Sequence, residues 1–471
     1  MVLVGGPAAP YARALRIARA IAAEGFAVEI AAIAGPGLPL EERIEPAAPG
    51  SVGSPEPPPS EVGPITIRRY KPRGPWTLLG ATRAAPATRA APGAHDTTPR
   101  AASTERIRRT RAVAATIGIV RSIARAALAV RRWIFWPHPV RGWWATLGRE
   151  LAPADLYHAF GTLTIAPALA ARDRSPIGPS GTRAATIYDA IDDAIGSNAS
   201  LDVPGPILRR RNRVETRWAR SADAVLTVND ELADRLQRRW GLADLPLVVR
   251  NSPEPVGDLV PIDLRAEAGL AAGTRVALFQ GRLGPNRGLE ASAEAILMVP
   301  DAALVLLGFG PGVSAAQARD REPRFRGRHL TLPPRHPDEL LAWTAGADVT
   351  LIPLPPVSAN QRASTPNKFW ESIAVGTPVV VVAGLVVMER LVREYDLGVV
   401  AASTEPDDLA IAIRTALDRI DGPDGTAWRA AIRRQAADRF SWPPTATAYR
   451  SLVRSMSGRT ANVAEPGTGS P

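Results

Sequence analysis

Two arginines spaced five positions apart give the first indication of chemistry in this sequence. Arg282 follows a predicted strand, Val276 to Gln280, and Arg287 stands where the next helix is predicted to begin. Because a strand end and the start of the following helix lie close together in an α/β unit, both guanidinium groups can reach one anion. Two guanidiniums together with the free amides of a helix N-terminus bind a diphosphate well. The pattern therefore predicts a diphosphate site.

A second candidate binding residue is Glu371, within the stretch Ser364 to Pro378. Pro366 and Gly376 indicate the start and the end of a short helix, which places Glu371 one turn into it among apolar residues. A buried carboxylate needs a partner, and in dinucleotide sites an acidic residue accepts hydrogen bonds from the ribose hydroxyls. For Glu371 taken alone, a solvated position on an amphipathic helix is the plainer interpretation.

Glycines at two other predicted strand ends would let a ligand approach the backbone. Gly5 and Gly6 follow the first predicted strand, and Gly308 and Gly310 follow a later one. A glycine has no Cβ, so backbone amides near a helix N-terminus can come close to an anion. Such turns are common wherever a strand leads into a helix, so they support a nucleotide site only together with the arginines and the carboxylate.

Strand and helix patterns alternate through most of the 471 residues, which predicts an α/β fold with doubly wound, Rossmann-like domains. A linker that begins at Pro253 divides the chain into residues 1–252 and 253–456. Residues 81–105 contain mainly Ala, Thr, Arg and Pro, and residues 457–471 are polar with several Gly and Pro. Both segments are predicted to be disordered.

The net charge of +11 at pH 7 comes almost wholly from arginine, because Lys71 and Lys368 are the only lysines. This charge fits a protein that binds phosphorylated ligands or rests on an anionic membrane. The chain has no cysteine, which excludes disulfides, thiolate chemistry and a cysteine-based zinc site.

The histidines and the clustered aspartates are the remaining candidates for metal ligands. The five histidines are scattered without metal-ligand spacing: His95, His138, His158, His329 and His336. Asp189, Asp192 and Asp193 follow a predicted strand and could hold a metal, but acidic residues at the start of a helix are the favoured interpretation. We therefore expect no bound metal.

Residues 106–149 combine many arginines with aliphatic residues and a tryptophan cluster: Trp133, Trp136, Trp143 and Trp144. A basic helix flanked by aromatics is typical of a segment that lies on an anionic bilayer. A helix that docks on its own domain, with tryptophan in the core, is an equal alternative. No apolar run approaches about 18 residues and the N-terminus lacks signal-peptide features, so we expect a cytoplasmic protein, peripheral on the inner face of the membrane if this segment binds lipid.

Motifs of the second half resemble the GT-B glycosyltransferases, and more narrowly their large retaining family 4. They are Gly281-Arg282-x4-Arg287-Gly288, Gly308-x-Gly310 and Pro366-x-Lys368-x-x-Glu371-x4-Gly376-x-Pro378. In the first half, Asp155-x-x-His158 and the Gly5-Gly6 turn are similar to the acceptor domain of that family, though more loosely. The resemblance covers nearly the whole chain apart from residues 81–105 and the tail.

The resemblance implies two Rossmann-like domains that face a cleft, with the acceptor domain first, the donor domain second and a C-terminal helix that returns to the first domain. It implies transfer of a sugar from a nucleoside-diphosphate sugar to a glycan or lipid-linked acceptor, with retention and without metal or cofactor. Arg282 and Arg287 would neutralise the diphosphate, Glu371 would bind the ribose, and His158 would lie beside the sugar. Further donor contacts are implied at Gly5, Gly6, Gly308, Gly310, Pro366, Asn367 and Lys368.

Three positions depart from the family pattern. Ala363 stands where many members have a second glutamate that holds sugar hydroxyls, and Phe160 replaces a second histidine after His158. Arg287 replaces the more common lysine, which keeps the charge and adds bidentate reach. The sugar would then be recognised by polar residues near position 363: Asn360, Ser364 and Thr365.

Three other functions are alternatives to this one. A sugar-nucleotide epimerase of the same fold would need acid/base carboxylates, and the sequence shows no convincing pair. A degenerate, non-catalytic nucleotide- or membrane-binding protein is suggested by Ala363 but opposed by the intact Arg282, Arg287 and Glu371. Nucleic-acid binding ranks last, because the aromatics cluster in one stretch and do not interleave with a basic groove.

Overall fold

The computed structural model describes residues 1–6, 12–35, 37–44, 63–72, 141–177 and 183–456. These residues form two parallel sheets, each with its own helices, as the alternating pattern predicts. The insertion 81–105 and the tail 457–471, both predicted to be disordered, lie outside the described residues, and so do residues 106–140 of the basic segment.

The N-terminal sheet has eight strands: Val2–Val4 (β1), Val28–Ile33 (β2), Glu41–Ile44 (β3), Ile65–Tyr70 (β4), Leu156–Phe160 (β5), Ala185–Asp189 (β6), Ala224–Thr227 (β7) and Leu247–Val248 (β8). Their order is β3-β4-β2-β1-β5-β6-β7-β8, and all neighbours are parallel except β3 and β4. β3 pairs at the sheet edge with a predominantly charged sequence, where Glu42 accepts a hydrogen bond from Arg69 at 2.7 Å. Such a strand has no apolar run, so the sequence pattern does not reveal it.

The C-terminal sheet has six strands: Arg275–Arg282 (β9), Ala302–Phe309 (β10), His329–Leu332 (β11), Val349–Ile352 (β12), Val379–Val382 (β13) and Gly398–Ala401 (β14). They are all parallel and follow the order β11-β10-β9-β12-β13-β14. This is the doubly wound order, in which the direction of winding reverses beside the first strand. Strands covered on both faces are apolar throughout, as in β13, where all four residues are buried valines.

Fifteen α-helices lie within the described residues: Ala12–Ala22 (α1), Arg141–Glu150 (α2), Ile165–Arg174 (α3), Gly205–Ser221 (α4), Asp230–Trp240 (α5), Leu264–Glu267 (α6), Leu289–Leu297 (α7), Val313–Asp320 (α8), Leu340–Ala345 (α9), Ala359–Ala363 (α10), Asn367–Ala374 (α11), Val386–Tyr395 (α12), Pro406–Asp421 (α13), Gly425–Gln435 (α14) and Trp442–Met456 (α15). Where the chain is described, none of its helices has the length and apolar character that crossing a membrane requires.

The last helix, α15, leaves the C-terminal domain and packs on the N-terminal one. Its buried residues Trp442, Tyr449 and Val453 share a core cluster with residues of β1, β2 and α1. The Nε of Arg454 donates a hydrogen bond to Glu24 at 2.6 Å, after α1. The predicted return of the C-terminal helix is confirmed.

Of the tryptophans of α2, Trp143 lies in the core of the N-terminal domain and Trp144 packs against that core. Trp143 is fully buried, and its Nε1 donates a hydrogen bond to the carbonyl of Ala32 at 3.2 Å. Trp144 donates to the carbonyl of Leu163 at 2.8 Å. Both indoles bond inside the protein, which favours docking of α2 on its own domain over the membrane interpretation. For residues 106–140 it stays a prediction.

Candidate functional site

A cleft of about 450 Å³ lies between the two domains, at the carboxyl ends of both sheets. Its walls include Ile191 after β6 and Val228 after β7 in the N-terminal domain, and Arg287 after β9 and Leu354 after β12 in the C-terminal domain. In each sheet the winding reverses next to the first strand, which is where open α/β sheets bind ligands. The architecture therefore favours this cleft as the binding site.

The two predicted arginines lie in the loop between β9 and α7. A Cβ on Gly288, whose φ is +70°, would come within 2.0 Å of the carbonyl oxygen of Pro353, so only glycine lets this loop pack against the end of β12. Arg282 is exposed, whereas Arg287 is half-buried and lines the cleft. Burial, and then the charge of Arg282, lower the pKa of Arg287. An anion bound between these side chains would relieve their repulsion.

Lys368, at the start of α11, is a third cation at the same strand end. Its Nζ lies 3.4 Å from the centroid of the Phe279 ring, and its Cε would lie 3.8 Å from a Cβ on Gly281. Burial, and then the charge of Arg287, lower the pKa of Lys368 to about 7. The amine therefore changes charge near neutral pH, and a bound anion would favour its protonated form.

We expect the affinity for a nucleoside diphosphate to fall as the pH rises above the Lys368 pKa of about 7. Only the protonated amine attracts the anion, so the dissociation constant should rise about fivefold between pH 7 and pH 8. Isothermal titration at pH 8, in buffers with different ionisation enthalpies, should show uptake of about one proton. Lys368→Met should abolish this pH dependence, whereas Lys71→Met, at the only other lysine, should keep it. A wild-type affinity that does not change with pH would contradict the assignment.

Glu371 lies on α11, one turn after Lys368. Its Oε2 accepts a hydrogen bond from Nε2 of Gln280 at 2.7 Å, and Oε1 of Gln280 accepts one from Thr344 at 2.8 Å. Burial raises the pKa of Glu371, while the charges of Arg16 and then Lys368 oppose this effect. Within the described part of the chain, the side chain of Gln280 bonds Oε2 and not Oε1. The carboxylate is thus held on α11, outside the residues that line the described cleft, with one oxygen engaged by Gln280.

The motifs of the sequence do not identify two residues that surround Glu371, namely Arg16 and Gln280. Arg16 reaches towards Glu371 from α1 of the opposite domain, and its Nη2 donates to the carbonyl of Asn251 at 3.1 Å. Gln280 ends the apolar part of β9, directly before Gly281. For Gln280, a polar side chain at the end of an otherwise apolar strand could have indicated a role in the site. Arg16 had no such signal, because its neighbours come from distant parts of the chain.

The start of α11 faces the cleft. Pro366 occupies the N-cap position with extended backbone angles, and Asn367 is the first helical residue. Both line the cleft. The free amides of a helix N-terminus attract negative charge, so this helix start adds to the attraction exerted by the three cations.

Gly308, within β10, and Gly310, directly after it, allow close packing against the loop between β9 and α7. A Cβ on Gly308 would lie 1.9 Å from the carbonyl oxygen of Gly281, and one on Gly310, whose φ is +121°, would lie 2.6 Å from that of Leu283. The close approach is therefore between two segments of this chain. Packing explains both glycines without a ligand, and neither lines the cleft.

Gly5 and Gly6 follow β1 at the same edge of the N-terminal sheet. A Cβ on Gly5 would lie 3.3 Å from Cβ of Leu163, whereas one on Gly6 would have no neighbour within 4 Å. Neither residue lines the cleft, and residues 7–11 are outside the described part of the chain. Their contact with the donor stays a prediction.

His158 is a core residue, and the expectation that it lies beside the sugar is wrong. It is fully buried in β5, and its ring nitrogens bond Tyr449 at 2.9 Å and Asp189 at 3.2 Å. Asp189 also accepts two hydrogen bonds from Arg13, both at 2.9 Å. Phe160, two residues along the same strand, is buried with its ring centroid 4.6 Å from that of His158.

Asp192 and Asp193 join the two domains, and the interpretation of these acids as helix caps is wrong. Asp193 forms an ion pair with Arg239, and its backbone amide donates to Oδ1 of Asn360 at 2.7 Å. Nδ2 of the same Asn360 donates to Asp192 at 2.9 Å. The next helical turn begins only at Asn198. In the part of the chain that the structure covers, no group of three or more His, Asp or Glu could hold a metal.

The position of the missing glutamate is also a domain contact. Ala363 is buried, and its carbonyl oxygen accepts a hydrogen bond from Nδ2 of Asn229 at 2.8 Å. The same nitrogen donates to Oγ1 of Thr365 at 3.2 Å. Asn229 also caps α5 through its Oδ1, which fixes its orientation. Asn229 therefore ties this segment to the N-terminal domain.

Comparison with known proteins finds similar sequences and similar folds. Residues 274–419 match the family model of glycosyl transferases group 1. The chain is 35% identical over 212 residues to a glycogen synthase of Anaeromyxobacter sp., covering 41% of each chain. It is 32% identical over 283 residues to a D-inositol 3-phosphate glycosyltransferase of Corynebacterium efficiens, covering 55% of this chain and 62% of that one. The matches thus span less than two thirds of these relatives' length.

Solved structures of similar fold cover almost the whole chain. Sucrose-phosphate synthase from Thermosynechococcus elongatus matches with a TM-score of 0.58 and 19% identity, over 98% of this chain and 99% of that one. A structure named trehalose-6-phosphate from E. coli, bound with UDP-2-fluoro glucose, matches with a TM-score of 0.53 and 14% identity, over 98% and 99%.

Two facing doubly wound domains, with the last helix returning to the first domain, define the GT-B fold, and the predicted fold class is confirmed. The chain thus has the fold of the GT-B glycosyltransferases, and residues 274–419 of its C-terminal domain are similar to glycosyl transferases group 1.

Proposed function

We propose that this protein transfers a sugar from a nucleoside-diphosphate sugar to an acceptor hydroxyl, with retention at the anomeric carbon. The observation that carries the proposal is the cation cluster of Arg282, Arg287 and Lys368 beside Glu371, at the carboxyl end of β9. The group 1 match and the relatives named as glycosyltransferases support the reaction type.

The proposed chemistry depends on stabilising the leaving diphosphate. The bond between the anomeric carbon and the diphosphate oxygen breaks, and the electron pair leaves with the nucleoside diphosphate. The acceptor oxygen forms its bond on the same face, and its proton moves to a departing diphosphate oxygen. Preorganised cations lower such a barrier by several kcal/mol, so the basic residues can supply this stabilisation in a metal-independent reaction.

Glu371 is proposed to bind the ribose through its Oε1, while Oε2 is held by Gln280. The acceptor is proposed to be a glycan or a lipid-linked precursor that enters the cleft from the side of the N-terminal domain. Contact of the protein with an anionic membrane remains part of this proposal for residues 106–140 alone.

A nucleotide-sugar-binding protein without transferase activity is the second candidate. It is favoured by two observations: Phe160 occupies the position of the family's second histidine, and Ala363 that of its second glutamate. An epimerase has less support, because Asp192 is the only carboxylate among the residues lining the described cleft.

A thermal-shift panel of UDP-, GDP-, ADP- and dTDP-sugars tests the proposed function. One nucleotide should raise the melting temperature, and Glu371→Gln should weaken its binding about 10- to 100-fold, because hydrogen bonds to a charged group contribute about 1.5 to 3 kcal/mol. Glu394→Gln, on the exposed face of α12, is the matched control and should bind as the wild type does.

Proton NMR of the sugar released in slow donor hydrolysis separates the two candidates. Turnover with the donor's anomeric configuration in the first product supports a retaining transferase. Binding without any turnover, in the presence of a broad acceptor mixture, supports the binding protein. If none of the nucleotides binds, both proposals fail.

A further inference from the structure

The cleft contains a buried amide oxygen without a hydrogen-bond partner. Gln361, on α10, is 9% exposed and lines the cleft. Its Nε2 donates to the carbonyl of Asn286 at 3.3 Å, but its Oε1 has no partner among the described residues. Buried carbonyl groups are almost always paired, so this oxygen lacks a donor that a ligand can provide.

The polar neighbours of Gln361 are already engaged. Both side-chain atoms of Asn360 bond the aspartates of the opposite domain. The hydroxyl of Ser364 donates to the backbone carbonyl of Gln361 at 2.9 Å, and Oγ1 of Thr365 accepts from Asn229. The three residues expected to recognise the sugar thus already make contacts within the protein.

A second unpartnered amide oxygen lies in the opposite wall. Oδ1 of Asn198, in the segment after β6, is buried and has no partner within the described chain. Both walls of the cleft therefore offer acceptors that lack donors. A ligand with several hydroxyl groups would satisfy them, because each hydroxyl donates one hydrogen bond.

We propose that Oε1 of Gln361 accepts a hydrogen bond from a hydroxyl of the donor sugar, in place of the carboxylate that is missing at Ala363. Gln361 precedes Ala363 by two residues on the same short helix. Its bond to Asn286 places it beside Arg287, where the diphosphate is proposed to bind. The sugar attached to that diphosphate would lie within the same part of the cleft. This inference rests on the proposed function and adds a specificity-determining residue to it.

Isothermal titration with a matched pair of ligands tests the role of Gln361. The pair is the nucleotide sugar that stabilises the wild type most in the panel, and its nucleoside diphosphate. Gln361→Met keeps the side-chain length but removes the amide. We expect about a tenfold loss of affinity for the nucleotide sugar, with the affinity for the nucleoside diphosphate kept within about twofold.

Deoxy analogues of the donor identify the hydroxyl. The wild type should bind one monodeoxy analogue about tenfold more weakly than the parent sugar, whereas Gln361→Met should bind both equally. Gln237→Met, on the outer side of the N-terminal domain where its amide bonds Ala243, is the control and should behave as the wild type.

The possible outcomes distinguish a failure of the role of Gln361 from a failure of the proposed function. Unchanged binding of the nucleotide sugar by Gln361→Met would overturn the role of Gln361 while the proposed function stands. An equal loss for sugar and diphosphate would also overturn it, because it would indicate a damaged diphosphate site. If the wild type binds no nucleotide sugar at all, the proposed function fails and this inference fails with it.

Discussion

Arg287→Met should weaken the binding of a nucleoside diphosphate about 10- to 100-fold, because a charged hydrogen bond to a phosphate contributes about 1.5 to 3 kcal/mol. Arg287 is half-buried in the cleft wall, so its charge is less screened by water than that of the exposed Arg282. Donor turnover should fall further than binding, since negative charge on the diphosphate increases as the bond to the sugar breaks. Titration calorimetry and the rate of donor hydrolysis measure the two effects.

Two further variants make this result specific. Arg287→Lys keeps the charge but loses the bidentate geometry, so its effect should be intermediate. Arg390→Met removes an exposed arginine of α12 that pairs with Glu394, and it should leave binding and turnover unchanged. Wild-type affinity in Arg287→Met would show that the diphosphate binds elsewhere.

Asp189→Leu should lower the free energy of unfolding of the N-terminal domain by about 3 to 5 kcal/mol, because it leaves a buried arginine without its counter-charge. The side chains of Arg13 and Asp189 are 3% and 0% exposed, and two hydrogen bonds join them. The charge of Arg13 favours the ionised form of Asp189 and holds its pKa below the usual value despite its burial. Urea unfolding followed by circular dichroism measures the loss.

A paired substitution tests whether the isolated charge is the cause. Arg13→Met combined with Asp189→Leu removes both charges and should recover most of the stability, since apolar replacements of buried ion pairs are often tolerated. Asp173→Asn, at an ion pair whose carboxylate is 57% exposed, should change the stability by less than about 1 kcal/mol. If the double variant is as unstable as the single one, the buried charge does not account for the loss.

The features that could be predicted from the sequence are those that depend on local patterns. The run that ends at Gln280, followed by glycine and two arginines, indicates a strand and a loop that carries both arginines, and the structure contains both. Binding of an anion by this loop stays a prediction. Pro366 and Gly376 bounded the helix that carries Lys368 and Glu371. Strand ends and helix starts depend on residues that are close in sequence, so a single sequence is enough to predict their positions.

His158 illustrates what the local pattern could not provide. The family resemblance implies that His158 lies beside the sugar, but one of its ring nitrogens bonds Tyr449, which lies 291 positions away. The local pattern also does not show the close contacts of Gly308 and Gly310, or those of the tryptophans of α2. The groups that pack against them come from other segments, whose positions are set only when the chain folds.

The sequence by itself determined the two α/β domains, the order of the motifs, and the cations and carboxylate of the proposed donor site. The tertiary structure alone decided which polar side chains face the cleft and which are used within the protein. Asn229 bonds Ala363 across 134 positions, and Asn360 bonds Asp192 across 168. These contacts arise from the apposition of two domains, so they leave no periodic signal in the chain. They engage Asn360 and Thr365, whereas Oε1 of Gln361 keeps an open acceptor.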